Sequence, residues 1–363
     1  MLPQSLFDER NSVMGISKKR FLPFDMLRII ATLSVIALHS AANYWYTLPV
    51  NTSGWFYSNL FISLNRFCVP IFVMISGALF LSPSREVKPE RLLKHNVLHL
   101  LCVYAFWSIV YGLLYCQVTG FENMTVKEIL KRFLTAKYHL WFLSLIIGIY
   151  FLVPILRTWV KHASRKELEY FLGLFFGWQV LANTALCYIR VEELHTLYQN
   201  FRIEMVCGYI GYFVLGYYLT EFELSRRFQK LLSYALPVFC IINPLLSTYI
   251  SRKRQTPCND VVDVFSLGGF AITVSLFYLF TNKFKTVQLS SRSEKRLTKI
   301  SDATLGIYAM HLVFLEHPNP LLSAIKELPL VAAIPTLVLT TFVLCLIVSL
   351  ILKKCPVLGK YVC

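Results

Sequence analysis

Apolar residues along this chain fall in blocks of about twenty, the length an α-helix needs to cross a bilayer, and short polar connectors separate them. Hydropathy windows mark ten such blocks, at 24–44, 57–81, 93–117, 139–160, 168–186, 203–221, 231–250, 262–282, 302–316 and 329–352, the ninth being short. The pattern predicts an all-α integral membrane protein, a bundle of about ten transmembrane helices with both termini cytoplasmic. A single domain is expected over residues 1–363, with 1–22 as a cytoplasmic N-terminal segment and 353–363 as a cytoplasmic tail. No internal repeat is visible, which weakens an inverted-repeat transporter reading. The longest connector, 118–138, reads as an amphipathic helix on the outer membrane surface, with Val126, Ile129, Leu130, Phe133 and Leu134 set against Lys127, Glu128, Lys131 and Arg132.

Composition agrees with this class: 56% of the 363 residues are hydrophobic and only 15% are charged, against about 25% in a soluble domain. The net charge of +16 invites a nucleic-acid partner, but its distribution follows topology instead. With both ends inside, 24 of the 36 Lys and Arg residues face inward and ten outward, which fits the positive-inside rule and makes membrane lipid, not nucleic acid, the expected partner. The first twenty residues hold no apolar run, so no cleavable signal peptide is expected and the first span doubles as insertion signal; Met14 is a second candidate start. Residues 282–299, with Ser290 to Ser293, read as a polar inner connector, either solvated or in contact with anionic lipid. Cys68, Cys102, Cys207, Cys240 and Cys345 sit within spans as small hydrophobes, and Cys187 and Cys258 both fall on the outer side without a spacing that dictates a disulfide. His95 and His99 share a helix face, but no third ligand accompanies them, so no metal is expected.

The chemistry concentrates in costly residues. Arg28 and His39 lie in the first span, and an Arg near a helix centre costs roughly 2.5–3.5 kcal/mol on insertion scales. Eleven positions at about 100° come to about 20° past three turns, so both side chains share one face about 16 Å apart along the axis. In the second span, Arg66 precedes Pro70, which frees a backbone carbonyl and permits a kink, and Ser76-Gly77 offers a small surface where a helix or ligand approaches closely. The alternative for Arg66 is packing against a backbone carbonyl. Among the acidic residues near spans (Asp25, Glu204, Asp302, Glu316), Glu204 is best placed by depth as its partner, whereas Asp25 and Asp302 read as first-turn residues favoured by the helix dipole. His139 and Trp141 start the fourth span as interfacial belt residues or as a sugar-contacting pair. His311 in the ninth span is either catalytic or bonded to a neighbouring helix.

These features in order, Arg28 and His39, then Arg66 through Pro70 to Ser76-Gly77, then His139-Leu-Trp141-Phe, then Leu305-Gly-Ile-Tyr308 to His311, resemble the membrane-bound acyltransferase-3 family, in particular its bacterial O-acetyltransferases of cell-surface sugars. The resemblance covers most of the chain. It implies a multi-pass protein of the bacterial inner membrane, cytoplasmic acetyl-CoA as donor, and acyl transfer to a hydroxyl of a glycan or lipid-linked sugar. The chain is similar to the stand-alone type, without an appended hydrolase-like domain. In this scheme Arg28 offers its guanidinium to coenzyme A phosphates, and His39 serves as general base or transient acyl carrier. Arg66 holds the acceptor or the oxyanion, and Ser76, His139, Trp141, Glu204 and His311 complete the substrate site. The rivals are a succinyltransferase of the same fold, a transporter or flippase using buried Arg and His as a proton relay, and a structural scaffold that leaves two buried arginines unexplained.

Overall fold

The computed structural model describes residues 20–120, 125–134, 137–189, 191–317, 319–355 and 359, and no strand occurs among them. The expected start at Met14, most of the N-terminal segment and most of the tail lie outside the described residues. Eight helices are long and apolar enough to cross a membrane: α1 Leu22–Thr47, α2 Ser53–Phe80, α3 Pro89–Thr119, α4 Tyr138–His162, α5 Arg165–Tyr188, α7 Arg226–Arg254, α8 Asp260–Lys283 and α10 Leu330–Leu352. Between them lie α6, Glu204–Glu221, and α9, Ser291–Glu316, which answer to the sixth and ninth apolar blocks. Neither meets the same measure of length and apolarity. Helix α6 is broken at Gly208 (φ −35°, ψ −120°), and the first turns of α9 carry Arg292, Glu294, Lys295, Arg296 and Lys299.

Local chemistry sets the helix ends. Pro23 opens α1 where its missing N–H costs nothing. Ser164, Ser225, Ser266 and Ser290 each accept a hydrogen bond from a first-turn backbone N–H, and Ser164 with Glu167 forms a reciprocal capping box. The cap at Ser290 corrects the reading of residues 282–299 as connector. Helix α9 starts at Ser291 and carries its charged turns beyond its apolar part. The amphipathic segment predicted in the third connector is helical over Val126–Leu134.

Burial orders the bundle. In α1 and α2 67% of the most apolar window is buried, against 17% in α5 and 22% in α7, so the first two spans form the centre and the latter two the periphery. Helix α1 packs against α2, α9 and α10. Helix α2 breaks at Arg66 and Phe67, where Pro70 cannot donate to the carbonyl four residues back, as the sequence predicts. The C-terminal half of α2 then packs on α6, and at two glycines the backbones meet with no side chain between them. A Cβ on Gly77 would run into the Phe213 carbonyl, and a Cβ on Gly216 into the Met74 carbonyl.

Because both walls of that contact are backbone, no rotamer change relieves an added side chain. Gly77→Val is expected to destabilise by about 1–3 kcal/mol, read as a lower temperature of aggregation in detergent and lower membrane abundance. Unchanged stability would contradict the close backbone approach.

Candidate functional site

Two polar assemblies sit at opposite ends of α1. At its N-terminal end Asp25, with no exposed surface, accepts from Arg20 (Nε and Nη2, both 2.7 Å), Ser301 Oγ (2.6 Å) and Arg28 Nη1 (3.3 Å). Arg20 also bonds Asp302 at 2.7 Å, and Lys353 Nζ donates to the Asp302 carbonyl at 2.6 Å. The network ties α1, α9 and α10 together around a buried Arg28 whose Nε has no partner. The helix-dipole reading is corrected in part. Asp25 does lie in a first turn, but Asp302 is well inside α9, and both serve as ion-pair partners.

At the other end of α1 a cavity of about 900 Å³ opens, within the size range of small-molecule sites. His39, Arg66, His139 and Trp141 line it, together with Tyr138, Tyr209, Asp263, Tyr308, Glu316 and Lys326. His39 and Arg66, from α1 and α2, thus face one cavity. Arg28, Ser76, Glu204 and His311 are not among its lining residues. Ser76 is buried, 3.5 Å from the Tyr150 hydroxyl. The pairing of Arg66 with Glu204 is corrected: the Arg66 guanidinium donates to Asn259, and the buried Glu204 Oε2 has no hydrogen-bond partner. Asn259 lies in the turn that opens α8, far from Arg66 in sequence, so no local spacing signals it.

Three histidines gather at this end. His39 and His311 have ring centroids 5.1 Å apart, His139 and His311 5.0 Å, and His39 and His139 6.4 Å. Backbone carbonyls fix two of the tautomers. His311 Nδ1 donates to the Tyr308 carbonyl (2.6 Å), and His139 Nε2 donates to the Ala309 carbonyl (3.2 Å), which also accepts from Tyr111 (2.9 Å). His311 thus bonds to its own helix, not to a neighbouring one. His139 Nδ1 and His311 Nε2 remain as buried nitrogens without partners. Tyr308 donates to the His139 carbonyl, so α4 and α9 brace each other here. Among the described residues, no group of three His, Cys, Asp or Glu side chains is arranged to hold a metal ion.

A half-buried imidazole facing a cavity, a guanidinium on the same wall and a second buried guanidinium at the far end of the same helix can do proton transfer and anion stabilisation. The cavity lining also holds Tyr138 and Glu316, bonded at 2.8 Å, which the sequence does not single out as site residues. Their signal was weak: Tyr138 merely precedes His139, and Glu316 follows His311 by five positions.

The model of one protein family, described as Acyltransferase domain, matches residues 22–352 of the chain, from the start of α1 to the end of α10. No curated protein and no solved structure matches it.

Removing the Asp25 carboxylate would leave the Arg28 charge buried without its counter-ion. Asp25→Ala is expected to cost about 3–5 kcal/mol, seen as reduced folded yield and lower thermal stability in detergent, with Asp25→Asn less severe because its amide oxygen still accepts. Stability equal to wild type in both would remove Asp25 from the centre of the network.

Proposed function

Since the chain belongs to the acyltransferase-3 family of membrane acyltransferases, we propose that it moves an acetyl group from cytoplasmic acetyl-CoA to a hydroxyl of a cell-surface glycan or its lipid-linked precursor. In this reading it is a ten-span protein of the bacterial inner membrane with both termini cytoplasmic. The observation that carries the proposal is the placement of Arg28 and His39 at the two ends of one central helix, with the cavity at His39 and the ion network at Arg28. The donor enters at the Arg28 end, where Arg20, Arg28 and Lys353 offer cationic groups to its phosphates, and its pantetheine arm extends toward His39. The acceptor sugar occupies the outer cavity, where Trp141 and Tyr209, with ring centroids 5.9 Å apart, present aromatic faces.

His39 takes the proton from the acceptor hydroxyl as its oxygen attacks the thioester carbonyl. A C–O bond forms, and Arg66 stabilises the oxyanion. When the C–S bond breaks, the imidazolium returns the proton to the departing coenzyme A sulfur. Direct transfer needs no acyl-enzyme, so His39 is a base rather than an acyl carrier.

Membranes carrying the protein are expected to transfer label from radiolabelled acetyl-CoA to glycan, with His39→Ala lowering the rate by about 10²–10⁴-fold at matched protein levels. Arg28→Ala should raise the KM for acetyl-CoA as well as lower the rate. Near-normal transfer by either variant would remove that residue from the site. Mass spectrometry of surface glycans with and without the gene identifies the group moved, and a succinyl increment would replace the acetyl donor while keeping the enzyme class.

A further inference from the structure

The cavity lining beside His39 holds a short chain of polar groups that the transfer scheme leaves unused. Tyr138 Oη lies 3.4 Å from His39 Nδ1 and 2.8 Å from Glu316 Oε1, and Lys137 Nζ grips Glu316 Oε2 at 2.5 Å. The three residues come from two different elements: Lys137 and Tyr138 lead into α4, and Glu316 closes α9. A carboxylate only accepts, so the Tyr138 hydroxyl must spend its one proton on Glu316. Its oxygen then faces His39 as an acceptor, and the group that can satisfy it is an Nδ1–H.

We infer that Tyr138 and Glu316 are positioning residues that hold His39 in the Nδ1–H tautomer, leaving Nε2 as the basic lone pair for the acceptor hydroxyl. The chain runs from His39 Nδ1–H to Tyr138 Oη–H to Glu316, with Lys137 fixing the far carboxylate oxygen. It follows the logic by which an acid residue orients a catalytic imidazole, with a phenol interposed. Two further observations favour a built arrangement over a chance rim contact. The His39 and Tyr138 rings stand 5.6 Å apart between centroids, so the phenol restrains the imidazole plane as well as its nitrogen. The neighbouring His139 and His311 spend their own N–H groups on backbone carbonyls, so neither donates to His39 Nδ1 in place of the contact with Tyr138. Nothing moves along the chain during turnover: both protons stay where they are, and the attacking hydroxyl gives its proton to Nε2.

The inference rests on the acyl-transfer reading, and the test separates the two. Full-length protein in native membranes is assayed with radiolabelled acetyl-CoA, with label followed into glycan and each variant corrected for membrane abundance. Tyr138→Phe is expected to lower kcat about tenfold or more while the KM for acetyl-CoA stays within about twofold, because the donor end is untouched. Glu316→Ala should behave alike, and Glu316→Gln should recover most of the loss, since its amide oxygen still accepts from the phenol. In a His39→Ala background neither Tyr138→Phe nor Glu316→Ala should lower the residual rate further, because a positioning residue has nothing left to position. Wild-type kcat in Tyr138→Phe, or a loss of equal size on top of His39→Ala, would overturn the inference and leave the acyl-transfer reading intact. Full activity of His39→Ala alone would instead overturn the reading itself. Glu316→Gln is nearly isosteric, so its recovery or failure remains readable even if Tyr138→Phe folds poorly.

Discussion

The structure depends on keeping Arg28 charged inside a helical bundle. A guanidinium without partners in an apolar slab is among the most costly placements available to a side chain, and here Asp25, one turn earlier on the same helix, supplies the counter-charge. Asp25 is itself held by Arg20 and Ser301, and Arg20 reaches Asp302. One ion pair thus recruits residues from two helices distant in sequence and sets the register of α1 against α9. That register matters at the other end. Because α1 and α9 run side by side in the same direction, fixing them at Asp25 and Asp302 also places His39 beside His311.

The two ends differ in character. Around Arg28 the polar groups are largely bonded to one another, with the Arg28 Nε left without a protein partner. Around His39 they line open space, and several of them, including His139 Nδ1, Arg66 Nε and Ser40 Oγ, have no protein partner. Polar groups buried without partners are costly and uncommon, so their concentration beside a cavity calls for a ligand that completes them. The arrangement is that of a molecule with an ion-paired cationic cluster at one end, where the donor is proposed to enter, and an open chamber at the other, joined by a single helix.

Much of this was legible in the sequence. Hydrophobic block length located the eight helices long and apolar enough to cross a membrane, Pro70 announced the break at Arg66, and the first block carried both Arg28 and His39. Each of these is encoded within one helix. The missed polar partners share a cause, since each pair is brought together only by tertiary packing: Arg66 with Asn259 instead of Glu204, Asp25 with Ser301, and Tyr138 with Glu316. Depth along a span could rank partners for Arg66, but it could not say which helix stood next to it. The start of α9 was missed for another reason. Its first turns are charged, so hydropathy ended the element where the apolar part ended, although Ser290 carries an ordinary N-cap signal.

The reciprocal contacts of Gly77 with Phe213 and of Gly216 with Met74 have a mechanical meaning. Helices that meet through side chains can slide a little as rotamers readjust, but α2 and α6 meet main chain to main chain, with no compliant layer between them. They behave as one plate. That plate carries Arg66 and Tyr209 on one side of the chamber. Any breathing that admits a bulky acceptor therefore falls to the start of α4 and the end of α9, which touch through side chains and short polar bonds.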